Sequence, residues 1–176
     1  ITPKTLEAML KVQEAGHTIM IASGRPTHGV KWVSDALQLE KFGGYELCFN
    51  GARITNVKTK EVVYQQVFPK DFIEPLYQYA LNHNMGLVTY EDDTVIAGTE
   101  INEHIEFEAR LNHMQLKRVD NFADYITFNI NKCLFTADVD VAPDLEIELA
   151  GMYDGKLSIY RSEPFFIEAM PLGVDK

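Results

Sequence analysis

Apolar positions along this chain change their period several times, and each change marks an element. Leu6, Met9, Leu10 and Gln13 lie on one face of a helix that starts at Thr2-Pro3, a hydroxyl cap followed by proline. Gly16 suits its C-terminal stop. Residues 18–22 are a short, partly β-branched apolar run, the pattern of a buried strand. The run stops at Ser23-Gly24-Arg25, and Pro26 suits the first position of a second helix to residue 39. In that helix Val30, Val33 and Leu37 point inward, with Trp32 on the flank. After the break at Gly43-Gly44, residues 45–49 read as a second parallel strand ending in Asn50-Gly51-Ala52. Residues 52–57 and 61–67 then alternate around the polar tip Lys58-Thr59-Lys60, as two antiparallel strands do.

Phe68-Pro69-Lys70-Asp71 is a domain boundary, because the pattern beyond it differs. Ile73, Leu76, Tyr77, Ala80 and Leu81 make an amphipathic helix ending near Gly86. Residues 87–90 and 94–97 read as strands around Glu91-Asp92-Asp93. A helix over 101–114, strands over 126–130 and 132–137, a helix over 143–152 and a strand over 156–161 complete an inserted α+β unit, residues 69–160. Its last helix carries Leu145, Leu149 and Met152 on one face. The strand 165–169 and the run to Lys176 return to the first unit, so 1–68 and 161–176 form one domain of α/β class.

A formal charge of −10 argues against a nucleic-acid or anionic-membrane surface, which demands clustered Lys and Arg. It leaves room for a small phosphorylated ligand. No apolar run approaches a membrane span, and no basic-then-apolar leader opens the sequence. Cys48 and Cys133 stand far apart in apolar runs, as buried thiols of a reducing, cytoplasmic compartment do. The histidines lack zinc-ligand spacing, and His17 and His28 read as surface residues. Glu91-Asp92-Asp93 suits a solvated turn better than a metal site; no metal ligand is assigned.

Candidate chemistry gathers at strand ends, where open α/β sheets bind ligands. The Ser23 hydroxyl, amides beside Gly24 and the following helix dipole suit an anion, most naturally phosphate. The competing reading is an ordinary strand-to-helix turn. Asn50-Gly51 ends the second strand in the same manner, and it is also a favoured hairpin dipeptide. Lys176, just past a strand, is either a terminal surface charge or a phosphate ligand.

Taken together, these runs resemble the haloacid dehalogenase superfamily, and within it the Cof-type sugar-phosphatase group with an α/β cap. The matching stretches are Ile19-Met20-Ile21-Ala22-Ser23-Gly24-Arg25-Pro26, Phe49-Asn50-Gly51-Ala52, and Phe166-Ile167-Glu168-Ala169-Met170-Pro171-Leu172-Gly173-Val174-Asp175-Lys176. Ile1-Thr2-Pro3-Lys4-Thr5 resembles the start of the family's first helix. The family's first motif, Asp-x-Asp-Gly-Thr, and its fourth, Gly-Asp-x-x-x-Asp, are absent; neither Asp92-Asp93 nor Asp138-x-Asp140 replaces them.

The resemblance implies a Rossmann-like core with an inserted cap, and Mg²⁺-dependent transfer of a phosphoryl group to an aspartate, then to water. It gives Ser23 and Lys176 catalytic roles and makes Gly24, Arg25, Asn50 and Gly51 phosphate- and substrate-binding. Arg25 is equally well read as a surface ion-pair partner. The nucleophile and the Mg²⁺ carboxylates lie outside this chain, so the expectation is a segment of a longer enzyme, inactive alone. A rival expectation is a non-catalytic module that binds phosphorylated ligands. Oligomeric state is left open.

Overall fold

Thr2 caps the first helix as expected: its hydroxyl accepts from the Thr5 amide at 3.2 Å, and α1 runs Pro3–Glu14. Its inner face buries Gln13, whose Nε2 donates to the Leu37 carbonyl at 2.7 Å. This computed structural model describes residues 1–174, which divide into two units, Ile1–Gln66 and Val67–Val174. In the first, β1 (Met20–Ala22) leads to α2 (Thr27–Ala36) and α3 (Leu39–Phe42), then to β2 (Tyr45–Cys48), β3 (Arg53–Asn56) and β4 (Val62–Gln65). The strands stand in the order β1-β2-β3-β4, with β1 and β2 parallel and the rest antiparallel.

Three expectations for this unit need correction. The first strand is not buried. Among the described residues it pairs only with β2, and helices cover one face. Ile19 and Ile21 therefore join Leu37, Leu39 and Val57 in a small core, while Met20 is 47% exposed. Pro26 is also not the first helical residue: its backbone is extended (φ −62°, ψ 161°), and it caps α2 from outside. The expected single helix to residue 39 breaks at Gln38, which takes a left-handed conformation (φ 53°) and starts α3. Trp32 is 47% exposed.

In the second unit, α4 (Ile73–Asn82) buries Ile73, Leu76, Tyr77 and Ala80, while Leu81 is exposed. His83 caps it, and Gly86 opens a strand rather than ending the helix. Next come β5 (Gly86–Glu91), β6 (Thr94–Ala97), α5 (Glu103–Leu111), β7 (Gln115–Arg118), α6 (Phe122–Tyr125), β8 (Cys133–Thr136), α7 (Ala142–Met152), β9 (Leu157–Glu163) and β10 (Phe166–Pro171). The sheet order is β7-β6-β5-β8-β10-β9, and β6–β7 is parallel. Its core joins Leu76, Leu87, Ile96, Phe122, Phe135, Leu149 and Ile167.

Residues 126–130 do not form the strand their apolar pattern suggests. Ile126 and Ile130 are buried anchors of an irregular segment, whose Ile130 carbonyl accepts from the Phe68 amide at 2.8 Å. The sequence also hides β7: Gln115, Lys117 and Arg118 are exposed, so no apolar alternation marks it. The domain division moves as well. β10 pairs with β8 on one side and β9 on the other, placing 161–174 in the second unit rather than the first. The backbone ladder decides this, because β10 is buried at every position between two partners.

Candidate functional site

The end of β1 and the end of β2 are tied by backbone bonds. The Ser23 amide donates to the Leu47 carbonyl at 2.9 Å. The Asn50 amide donates to the Ser23 carbonyl at 3.2 Å, and the Phe49 amide to the Arg25 carbonyl at 3.0 Å. Two turns far apart in sequence thus become one. Ser23, Gly24, Arg25, Asn50 and Gly51 come together here; Lys176 lies outside the described residues.

Side chains lock the junction. A Cβ on Gly24 would overlap Asn50 Oδ1, so glycine lets the buried Asn50 amide lie against the backbone there. The Arg25 amide donates to Ser23 Oγ at 3.1 Å. This corrects the expectation of amides open to a ligand beside Gly24: the one that follows it is committed to Ser23. The Ser23 hydroxyl still has its own proton to donate.

The backbone of the second turn is strained. Phe49, Asn50 and Gly51 have φ values of 52°, 55° and 103°. Asparagine and glycine tolerate the left-handed region, whereas a phenylalanine there is an outlier costing about 1–3 kcal/mol. Sequence reasoning misses Phe49, since nothing in the residue type announces a left-handed backbone. The hairpin reading of Asn50-Gly51 also holds, because β2 continues antiparallel into β3 with Cys48 opposite Arg53.

Next to the turn, burial pushes the Cys48 thiol up to about 12, with Glu46 adding to the shift and the Thr27 hydroxyl and Arg53 opposing it. Cys48 is thus a neutral thiol and no nucleophile at neutral pH. Cys133 is likewise a buried free thiol, pushed up by desolvation. Of Glu91-Asp92-Asp93, Glu91 ends β5 opposite Thr94, and Asp92-Asp93 make the turn into β6: Asp92 is left-handed (φ 48°), and Asp93 accepts from Thr94 at 3.1 Å. Among the described residues no group of three or more His, Cys, Asp or Glu side chains could hold a metal ion, and no helix is long and apolar enough to cross a membrane.

The class defined is an α/β chain with a polar turn at the C-terminal ends of parallel strands. A profile of the haloacid dehalogenase-like hydrolases matches residues 1–176, so the chain belongs to that family. A curated Bacillus subtilis protein, "Putative phosphatase YxeH", is 24% identical over 173 residues, covering 97% of this chain and 63% of its own length. A crystal structure of a haloacid dehalogenase-like hydrolase from Bacteroides thetaiotaomicron is 33% identical with a TM-score of 0.94, covering 100% of this chain and 66% of that one. The same fold occurs in BT4131, described as a subclass IIB sugar phosphatase, at 19% identity and a TM-score of 0.77, with 98% of this chain and 64% of that chain covered. The chain therefore spans under two thirds of the length of these relatives.

Proposed function

We propose that this chain is the phosphate-binding and substrate-selecting part of a phosphoric monoester hydrolase acting on small phosphomonoesters, sugar phosphates foremost. One observation carries the reading: the Ser23-Gly24-Arg25 and Phe49-Asn50-Gly51 turns are cross-tied, with the Asn50 amide laid on Gly24. A strained, glycine-dependent junction of two strand ends is costly for a mere connection and useful for holding donors still around an anion.

In this reading the Ser23 hydroxyl donates to a phosphoryl oxygen, while its acceptor side stays fixed by the Arg25 amide. Asn50 and Gly51 line the same position, and Arg25 and Lys176 supply positive charge. Such a site works by positioning and by meeting charge where it develops. The second unit serves as the cap that excludes water and selects the leaving group. Buried free thiols favour a reducing, cytoplasmic setting.

The family resemblance implies Mg²⁺ and an aspartate nucleophile. The described donors do not fit a metal ion. Both the nucleophile and the metal carboxylates belong, in this proposal, to the portion of the longer relatives that this chain does not span.

Phosphate release from hexose phosphates and p-nitrophenyl phosphate by the full-length protein tests the reading. Turnover is expected, with Ser23→Ala lowering kcat/KM by about 10–1,000-fold. A full-length protein that binds hexose phosphate without turning it over is instead a binding module.

A further inference from the structure

Because β3 runs antiparallel to β2, its first residue lies at the end of the sheet that carries Ser23 and Asn50. The Ser23 amide bonds the Leu47 carbonyl, carrying the parallel ladder one residue past the Ala22–Leu47 pair, so Ser23 falls level with Cys48. Cys48 in turn stands opposite Arg53. Ser23, Cys48 and Arg53 thus form one row across neighbouring strands. At about 4.8 Å per strand the outer two backbones are about 10 Å apart. An extended arginine side chain and a phosphate group together span such a gap.

Arg53 is half-buried, and its Nε is shut off from solvent with no hydrogen-bond partner. The chain carries 26 acidic side chains against 16 basic ones, so carboxylates are abundant. Among the described residues none makes an ion pair with this guanidinium, not even Glu46, two residues before Cys48 on β2. A guanidinium held this way costs folding free energy, because its desolvated N–H gains no bond in return. What it supplies is positive potential, which reaches the thiol at the centre of the row and opposes the upward push on it. Cys48 stays neutral there, so nothing in the row repels an anion.

We infer that Arg53 is a further phosphoryl-binding residue of the candidate site, its guanidinium holding one oxygen of a phosphomonoester while another oxygen accepts from the Ser23 hydroxyl. The inference rests on the phosphatase reading above and adds a cation that lies in the same unit as the turn and in register with it. A guanidinium suits the task. It stays charged at any working pH, and its planar N–H groups match phosphate oxygens better than the point charge of a lysine. The contact is made alike with substrate and with released phosphate, so it acts on binding and leaves the chemical step alone.

Hydrolysis of hexose 6-phosphate by the full-length protein, with inorganic phosphate as competitive inhibitor, tests the assignment. Arg53→Gln is expected to raise KM and the inhibition constant of phosphate together by about 10–100-fold, with kcat within about threefold. Arg53→Lys, which keeps the charge and loses the fork, should fall between wild type and Arg53→Gln. An unchanged KM, an unchanged inhibition constant, or a loss confined to kcat overturns it. Should Arg53→Gln fail to fold, Arg53→Met, which keeps the apolar stem, decides by the same two constants. Wild-type protein that hydrolyses no phosphomonoester refutes the phosphatase reading itself. Arg53 is then judged by calorimetric titration with inorganic phosphate. Binding in wild type that is at least about tenfold weaker in Arg53→Gln upholds its role, and equal binding in both, or none in wild type, overturns it.

Discussion

The two units handle apolar surface differently. The second gathers residues from Phe68 to Ala169 into one continuous core, and its central strands β8 and β10 are buried along their whole length. The first centres on Leu37, Leu39 and Val57, with Leu6, Ile19, Ile21 and Val33 packed against them, and leaves Met9, Val12 and Met20 between 38% and 47% exposed. The strained turn belongs to this thinner unit. Cross-strand bonds and the burial of Cys48, Phe49, Asn50 and Ala52 together hold the candidate phosphate site in shape. Local opening is expected to be easier there than in the second unit.

Cavity formation should separate the units most widely. Phe122→Ala removes a fully buried ring from the second core and should cost about 3–5 kcal/mol, whereas Leu37→Ala should cost about 2–3 kcal/mol because its surroundings relax more easily. Denaturant unfolding with hydrogen exchange resolved by segment measures both; equal costs would abolish the contrast. Gly24→Ala comes next. Its Cβ must displace Asn50 Oδ1, so a loss of about 1–3 kcal/mol is expected, together with at least a tenfold weaker response to phosphomonoesters. If calorimetry finds ligand binding intact in that variant, the junction is merely structural.

Asn102 sharpens the picture inside the second unit. Its Oδ1 accepts from the Ile105 amide at 2.9 Å, and its Nδ2 donates to Thr136 Oγ1 at 2.8 Å, tying α5 to β8. Asn102→Ala should cost about 1–2 kcal/mol, read from the urea midpoint. Alkaline pH acts only above about pH 9, with no effect near neutrality. Folding raises the Cys48 thiol from 9.0 to about 12, so its contribution is complete below pH 9 and is lost as pH rises through about 12. Cys133 shifts in the same direction through burial. Urea midpoints between pH 7 and pH 10.5 should hold to about pH 9 and then fall, and Cys48→Ala should flatten the first unit's share of that fall.

Much of this was legible in the chain. Thr2-Pro3 specified a cap, the 73–80 periodicity a helix, and Asn50-Gly51 a turn, because each signal is local and its physics is complete within a few residues. Ser23, Gly24 and Asn50 could be singled out by residue type at strand ends. Their joining could not, since it depends on hydrogen bonds between segments more than twenty residues apart. Residues 126–130 misled for the opposite reason: two buried isoleucines imitate a strand wherever a loop is pinned to a core.

By itself, the sequence determined the α/β class, the change of pattern near Phe68 and the residue types at the candidate turn. These follow from local conformational preference and from which side chains avoid water. Tertiary structure alone decided that β10 belongs to the second sheet, that Phe49 bears a left-handed backbone, and that Lys132 meets Glu168 in a buried setting. Strand partners and buried charge pairs are relations between distant segments, and backbone strain is tolerated only where distant groups hold it.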